Sequence, residues 1–85
     1  MIEIWGKPRC IYCIQAKDLC EQFGLEYNYR EIKNAEQLEG LIERCGVPFK
    51  TVPQIFWDNE YIGGYEEFFQ KVASENAKTE SKYHG

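Results

Sequence analysis

Ile2-Glu3-Ile4-Trp5-Gly6-Lys7-Pro8-Arg9-Cys10-Ile11-Tyr12-Cys13 runs from a β-branched, aromatic-rich segment through a Gly/Pro break to a pair of thiols. Residues 2–5 have strand composition, and Gly6 and Pro8 stop them. From residue 12 to residue 23, Cys13, Ala16, Leu19, Cys20 and Phe23 recur at spacings of three and four. That spacing predicts a helix with one inward face, and Gly24 stands where a helix C-terminal glycine belongs. Leu25, Tyr27 and Tyr29 then alternate with Glu26, Asn28 and Arg30, the period-two pattern of a strand with one buried face. Strand, helix and strand in this order predict a parallel pair joined by a right-handed crossover.

The second half of the chain continues the alternation. Asn34 with Gln37 three residues on is a capping-box-like start for a helix whose buried stripe is Ala35, Leu38, Leu41, Ile42 and Cys45. Gly46 and Pro48 end it. Residues 54–57 and 60–62 flank Asp58-Asn59, a two-residue connection that suits a tight antiparallel hairpin. Gly63-Gly64 opens a third helix with Tyr65, Phe68, Phe69, Val72 and Ala73 on its inner face, and Glu66 and Glu67 in its first turn suit the positive end of the helix dipole. Residues 76–85 carry little to bury, so the predicted domain is 1–75, followed by a frayed tail.

With 85 residues the chain has room for one core only. Its 44% hydrophobic and 28% charged residues exclude a disordered polyampholyte and a membrane protein. A formal net charge of −4 argues against sequence-independent nucleic-acid binding, which depends on many phosphate contacts. The charge is uneven: residues 4–17 contain no acid, yet hold Lys7, Arg9 and Lys17 beside two cysteines. The N-terminus lacks a basic segment followed by an apolar one, and no apolar run approaches the length needed to span a bilayer. The expectation is therefore a cytoplasmic protein in a reducing compartment, where cysteines are reactive or buried rather than structural disulfides.

Cys10 and Cys13 fall at a loop-to-helix junction, where unpaired backbone N–H groups point outward and favour an anion. Lys7 and Arg9 add positive charge, so Cys10 is the expected thiolate, and Cys13, one turn inside, is better placed to resolve than to attack. A stabilised thiolate gains little as a nucleophile but leaves faster when a second thiol attacks its disulfide, which favours an exchange catalyst. A cysteine protease needs a histidine base, and the sole histidine is His84. Cys-x-x-Cys is also half of many zinc sites; the other half here would be Cys20 and Cys45, each on the apolar stripe of a predicted helix, where a buried small hydrophobe is the simpler reading.

Taken together, Cys10-Ile11-Tyr12-Cys13 after a strand, Thr51-Val52-Pro53 before a strand, and Gly63-Gly64 at the last helix start resemble a dithiol glutaredoxin of the thioredoxin-fold superfamily, over about residues 1–72. The resemblance implies an α/β fold: a four-stranded mixed sheet, order 2-1-3-4, with three helices packed on both faces. It implies a glutathione-dependent thiol–disulfide oxidoreductase with Cys10 and Cys13 as the redox-active pair. Glutathione is then the reducing co-substrate and no metal is expected. Lys7 and Lys50 match positions that meet the glycyl carboxylate. Val52, held by a cis bond to Pro53 and next to Thr51, pairs with the cysteinyl unit. The backbone N–H groups of Gly64, Tyr65 and Glu66 bind the γ-glutamyl carboxylate, and Tyr12 lines the groove. The implied partners are disulfide-containing or glutathionylated proteins, with ribonucleotide reductase a family-level candidate, met by a monomer.

The sequence departs from the family's usual motifs at three places, one of them the loop Gly46-Val47-Pro48-Phe49, slightly longer than usual, with Phe49 available for partner contacts. Ile11 occupies a position where proline is usual, which restores a backbone N–H at the helix start, and Tyr65 and Glu66 follow Gly-Gly in place of a small residue and Asp. A thioredoxin-like electron donor served by a reductase protein, and a glutathione-ligated iron–sulfur carrier, are the alternative readings. The absence of Trp before Cys10 and of Gly-Pro between the cysteines argues against the first.

Overall fold

The computed structural model describes the backbone of residues 1–84 and the side chains of residues 1–75. The elements follow in the order β1 (Ile2–Gly6), α1 (Ile11–Gln22), β2 (Tyr27–Glu31), α2 (Ala35–Cys45), β3 (Gln54–Trp57), β4 (Glu60–Gly63) and α3 (Tyr65–His84). The strands form one sheet in the order β2-β1-β3-β4, with β1 parallel to β2 and antiparallel to β3, and β3 antiparallel to β4. This is the predicted mixed sheet with three helices. The frayed tail expected over 76–85 falls on residues whose side chains are not described.

Period-two alternation sends the two faces of β1 into two separate cores. Ile2 and Ile4 pack with Ala16, Leu19 and Cys20 of α1, Ile55 of β3, and Phe68 and Val72 of α3. On the other face Phe56 packs with Leu41 and Cys45 of α2, with Trp5, Ile32, Phe49 and Tyr61 around them. Two helices thus cover one face and one covers the other. Phe23, Ala35, Phe69 and Ala73, expected inside, are exposed; Ala35 is the first residue of α2, where the helix has not yet reached its packed turn. The first helix stops at Gln22, so Phe23 falls at its cap off the buried stripe. On α3 the inward stripe is the i, i+4 pair Phe68 and Val72, and Phe69 turns about 100° away to lie against the Tyr65 ring at 6.2 Å between centroids.

Local chemistry sets the element ends. Asn34 Oδ1 accepts from the Gln37 N–H at 2.8 Å while Gln37 Oε1 accepts from the Lys33 N–H at 2.8 Å, a reciprocal cap at the start of α2. Asp58 and Asn59 take φ of 51° and 68°, the left-handed pair that a two-residue hairpin of matching twist requires. Beneath α2, Glu3 receives two bonds from the Arg44 guanidinium, at 2.7 and 3.1 Å, and one from Trp5 Nε1 at 2.5 Å. Arg44 also lies 4.0 Å over the Phe56 ring, clamping helix to sheet.

Hydrogen bonding from Arg44 is the largest influence on Glu3 and holds its carboxyl below the usual carboxylate range, although partial burial works the other way. A depressed folded-state pKa contributes stability that is present above the ordinary value and is lost as pH falls through the folded one. Glu3→Gln should therefore cost about 1 kcal/mol at neutral pH, near the upper end for a partly exposed ion pair. The deficit should shrink as the pH of a denaturant titration is lowered through the carboxylate range.

Candidate active site

The loop between β1 and α1 delivers Cys10 to the helix start. Arg9 takes the left-handed conformation at φ 60°, and Cys10 follows in extended geometry as the N-cap of α1. The cap group is the sulfur itself: Cys10 Sγ accepts the Cys13 N–H at 3.2 Å, the role a Ser or Asp oxygen takes in most helices. From across the cleft the chain passes through Thr51 and Val52 to Pro53, joined by a cis bond, and the Cys10 thiol donates to the Val52 carbonyl at 3.6 Å. Cys10 is partly exposed, whereas Cys13 is 1% exposed. The two sulfurs share a helix turn but not an environment.

Burial, chiefly, pushes the Cys13 thiol up to about 11, and the hydrogen bond with Cys10 and the Cys10 charge push the same way. Cys13 therefore keeps its proton while Cys10 is free. Once Cys10 enters a mixed disulfide it carries no charge, and two of the influences holding the Cys13 proton disappear. The order of the two sulfurs is built into their spacing.

Beside Cys10 lies an open groove of about 320 Å³ lined by Tyr12, Thr51, Val52, Pro53, Gly64, Tyr65, Glu66 and Glu67. Seven of these eight are residues singled out from the sequence. Tyr12 and Tyr65 face each other at 5.8 Å between ring centroids and wall one end. Lys7 and Lys50 are exposed and lie outside the lining, although each flanks a segment that forms the site. The Gly64 N–H, expected to meet a ligand carboxylate, donates instead to Glu67 Oε1 at 2.8 Å. The first-turn N–H groups of Tyr65 and Glu66 belong to the same helix start. Glu67 lines the groove too, and the signal for it in the sequence is its three-residue spacing from Gly64, that of a capping pair. A slightly larger hollow of about 380 Å³ between Trp5, Arg30 and Lys33 opens at the β2 edge and includes no cysteine.

The remaining thiols do not join the pair. Cys20 is fully buried in the α1/α3 core and Cys45 sits in the α2 core on the opposite face of the sheet, so the four sulfurs do not converge on a zinc geometry. Among the described residues no cluster of three or more His, Cys, Asp or Glu side chains is arranged to hold a metal ion.

A glutaredoxin family model matches residues 2–62. The chain belongs to the glutaredoxin family. It is 44% identical over 72 residues to glutaredoxin 1 of Escherichia coli K12, covering 76% of this chain and 84% of the relative. Its fold matches the solution structure of reduced E. coli glutaredoxin with a TM-score of 0.74 at 40% identity, over 86% of this chain and 93% of that one. A buckwheat glutaredoxin–glutathione complex matches with a TM-score of 0.73 at 26% identity, over 87% of this chain and 69% of that one.

Within this glutaredoxin the last residue of β1 carries a packing constraint that the sequence did not reveal. A methyl group on Gly6 would stand 2.6 Å from Cys13 Sγ and 2.7 Å from Tyr29 Oη, closer than any side chain tolerates. Gly6→Ala should lower stability by about 1–3 kcal/mol, the usual range for overpacking, as measured by urea unfolding of the reduced protein. It should also displace Cys13, so that the Cys10–Cys13 disulfide becomes easier to reduce in a redox titration against glutathione.

Proposed function

We propose that this glutaredoxin reduces protein disulfides and glutathione mixed disulfides at Cys10, with glutathione as the electron source. The observation that carries the proposal is the Cys10 sulfur capping α1 at the mouth of the groove beside Val52 and Pro53. Helix N–H groups stabilise sulfur as an anion both before attack and when it leaves.

The thiolate of Cys10 attacks one sulfur of a substrate disulfide. A Cys10–substrate disulfide forms and the other substrate sulfur departs as thiolate. For a protein disulfide, Cys13 loses its proton and attacks Cys10 Sγ; the substrate's remaining sulfur leaves and takes up a proton from solvent. The Cys10–Cys13 disulfide is then opened by one glutathione thiolate, which attacks Cys10. A second glutathione attacks the glutathione sulfur on Cys10, giving glutathione disulfide and restoring the thiolate. With a glutathionylated substrate the Cys10 thiolate attacks the glutathione sulfur and the protein thiolate departs, giving the Cys10–glutathione disulfide directly; the cycle rejoins at its last step and needs only Cys10. In each step one S–S bond is made and one broken, and two electrons pass from glutathione to substrate.

Glutathione, an extended zwitterion, suits the groove in outline. Its cysteinyl unit pairs with the backbone of Val52, next to Thr51 and ahead of cis-Pro53. Its γ-glutamyl carboxylate meets the first-turn N–H groups of Tyr65 and Glu66, while the adjoining ammonium suits the Glu66 and Glu67 carboxylates. Lys7 and Lys50 reach the glycyl carboxylate from outside the lining, and Tyr12 covers the peptide. The protein acts as a monomer in a cytoplasmic, glutathione-rich compartment on disulfide-containing or glutathionylated proteins, ribonucleotide reductase among the candidates.

The roles of the cysteines separate cleanly in a coupled assay with glutathione and glutathione reductase. Cys13→Ser should keep reduction of a glutathionylated protein and lose at least tenfold on a protein disulfide, a drop on the order of that from removing the attacking group of one step. Cys10→Ser should lose both. Turnover sustained by thioredoxin reductase without glutathione would reject glutathione as the reductant, and turnover by Cys10→Ser would reject the assignment of Cys10.

A further inference from the structure

Cys13 must shed a proton inside the protein, and no histidine or carboxylate from the sequence-derived site stands beside it. The structure places the Tyr29 side chain there. Tyr29 faces the α1 side of β2, in register with Ile4 of β1, and its hydroxyl donates to the Lys7 carbonyl at 3.3 Å, a long bond that holds it loosely. Cys13 Sγ and Tyr29 Oη lie 2.6 and 2.7 Å from one point, the place above Gly6 where a side chain would begin. Because Gly6 has no side chain, hydroxyl and sulfur share that space. The Lys17 ammonium lies 4.2 Å from the centre of the Tyr29 ring, on the helix that carries Cys13.

We propose that the Tyr29 hydroxyl is the hydrogen-bond donor for the resolving sulfur, moving its bond from the Lys7 carbonyl to Cys13 Sγ as that sulfur becomes an anion and attacks Cys10. This rests on the dithiol cycle above and adds a residue to its second step. The proton of Cys13 passes to solvent and the departing substrate thiolate is reprotonated, so Tyr29 keeps its own proton throughout. Burial holds the Tyr29 hydroxyl up at about 12, so it is a donor, never a base, across the working pH range. The Lys17 cation over the ring draws electron density from the phenol and strengthens its O–H as a donor. Tyr29 therefore serves the pathway that uses Cys13 and has no part in the pathway that uses Cys10 alone.

The test is the ratio of two activities of one protein. Tyr29→Phe removes the oxygen and leaves the ring in place. Reduction of insulin disulfides should fall about tenfold relative to deglutathionylation of glutathionylated albumin, the scale of one lost hydrogen bond to a charged group. In rapid-mixing experiments the mixed disulfide between Cys10 and a cysteine peptide should persist longer by the same factor. Lys17→Met, which leaves the hydroxyl in place and keeps an unbranched chain at a half-buried helix position, should shift the ratio the same way by about two- to threefold. On a Cys13→Ser background, adding Tyr29→Phe should not change the lifetime of the mixed disulfide. Equal falls of both activities in Tyr29→Phe, or an unchanged ratio in Tyr29→Phe and Lys17→Met alike, would overturn the assignment. Failure of the parent reading looks different, because the wild-type protein would then show no glutathione-coupled turnover at all.

Discussion

A sulfur atom serving as a helix cap is the constraint from which the site follows. An N-cap must sit where the backbone is still extended and its side chain can turn back to the third N–H of the helix. Cys10 meets this with the Cys13 N–H at 3.2 Å, and the spacing in Cys-x-x-Cys is the same three-residue spacing. The bond that caps α1 thus also brings the second cysteine to the first. Anything that unravels the first turn separates the sulfurs, so helix stability and redox function share one hydrogen bond. Arg9 in its left-handed conformation turns the chain into this geometry, and β1 anchors the loop from the other side through parallel pairing with β2 and antiparallel pairing with β3.

The cleft is completed from the far end of the sequence by a second polar device. Gln54, 3% exposed, donates from Nε2 to the Thr51 carbonyl at 2.8 Å and accepts from the Tyr61 hydroxyl at Oε1. A buried amide with one end unmet would be costly, so Gln54 ties the Thr51-Val52-Pro53 turn to β4 as firmly as it satisfies itself. The Val52 carbonyl that faces Cys10 is held by that tie. The ladder linking β3 to β1 then fixes the turn's distance from the loop after β1. Two segments more than 40 residues apart reach each other because both leave the same end of adjacent strands.

Much of this could be read from the chain, and the misreadings share a physical cause. Strand and helix alternation was legible because β1 has strand composition and α1 and α2 repeat small or apolar residues at spacings of three and four, and the resemblance carried by the three motifs led to seven of the groove residues. Phe23, Phe69 and Ala73 were misplaced because an apolar residue beside a helical stripe has the same local signature as one on it; the neighbours that cover it belong to other elements. Tyr29 and Gly6 were missed as site residues for a sharper reason. Nothing local relates residue 29 to residue 13, and only the parallel register of Ile4 with Tyr29 brings that hydroxyl to the cysteine. Lys7 and Lys50 come from the resemblance by matching position, yet position leaves the direction of a flexible side chain undetermined, and the structure leaves both in solvent.

The departure at Ile11 fits the same picture. A proline between the cysteines fixes φ and lacks an N–H, whereas isoleucine at the first position of α1 keeps that donor at the open end of the helix. Ile11 is 69% exposed and Tyr12 beside it 58%, so the restored N–H lies in a segment that water and substrate can reach. An added N–H at the helix start is one more donor for a negatively charged group held there. A β-branched residue in place of the ring gives up some backbone rigidity in the same stroke. The two effects act on different states: the added donor on the open dithiol, the rigidity on the closure of Cys10 onto Cys13. The substitution therefore bears on the balance between dithiol and disulfide, while the cap that places Cys10 beside the groove needs only the sulfur and the Cys13 N–H.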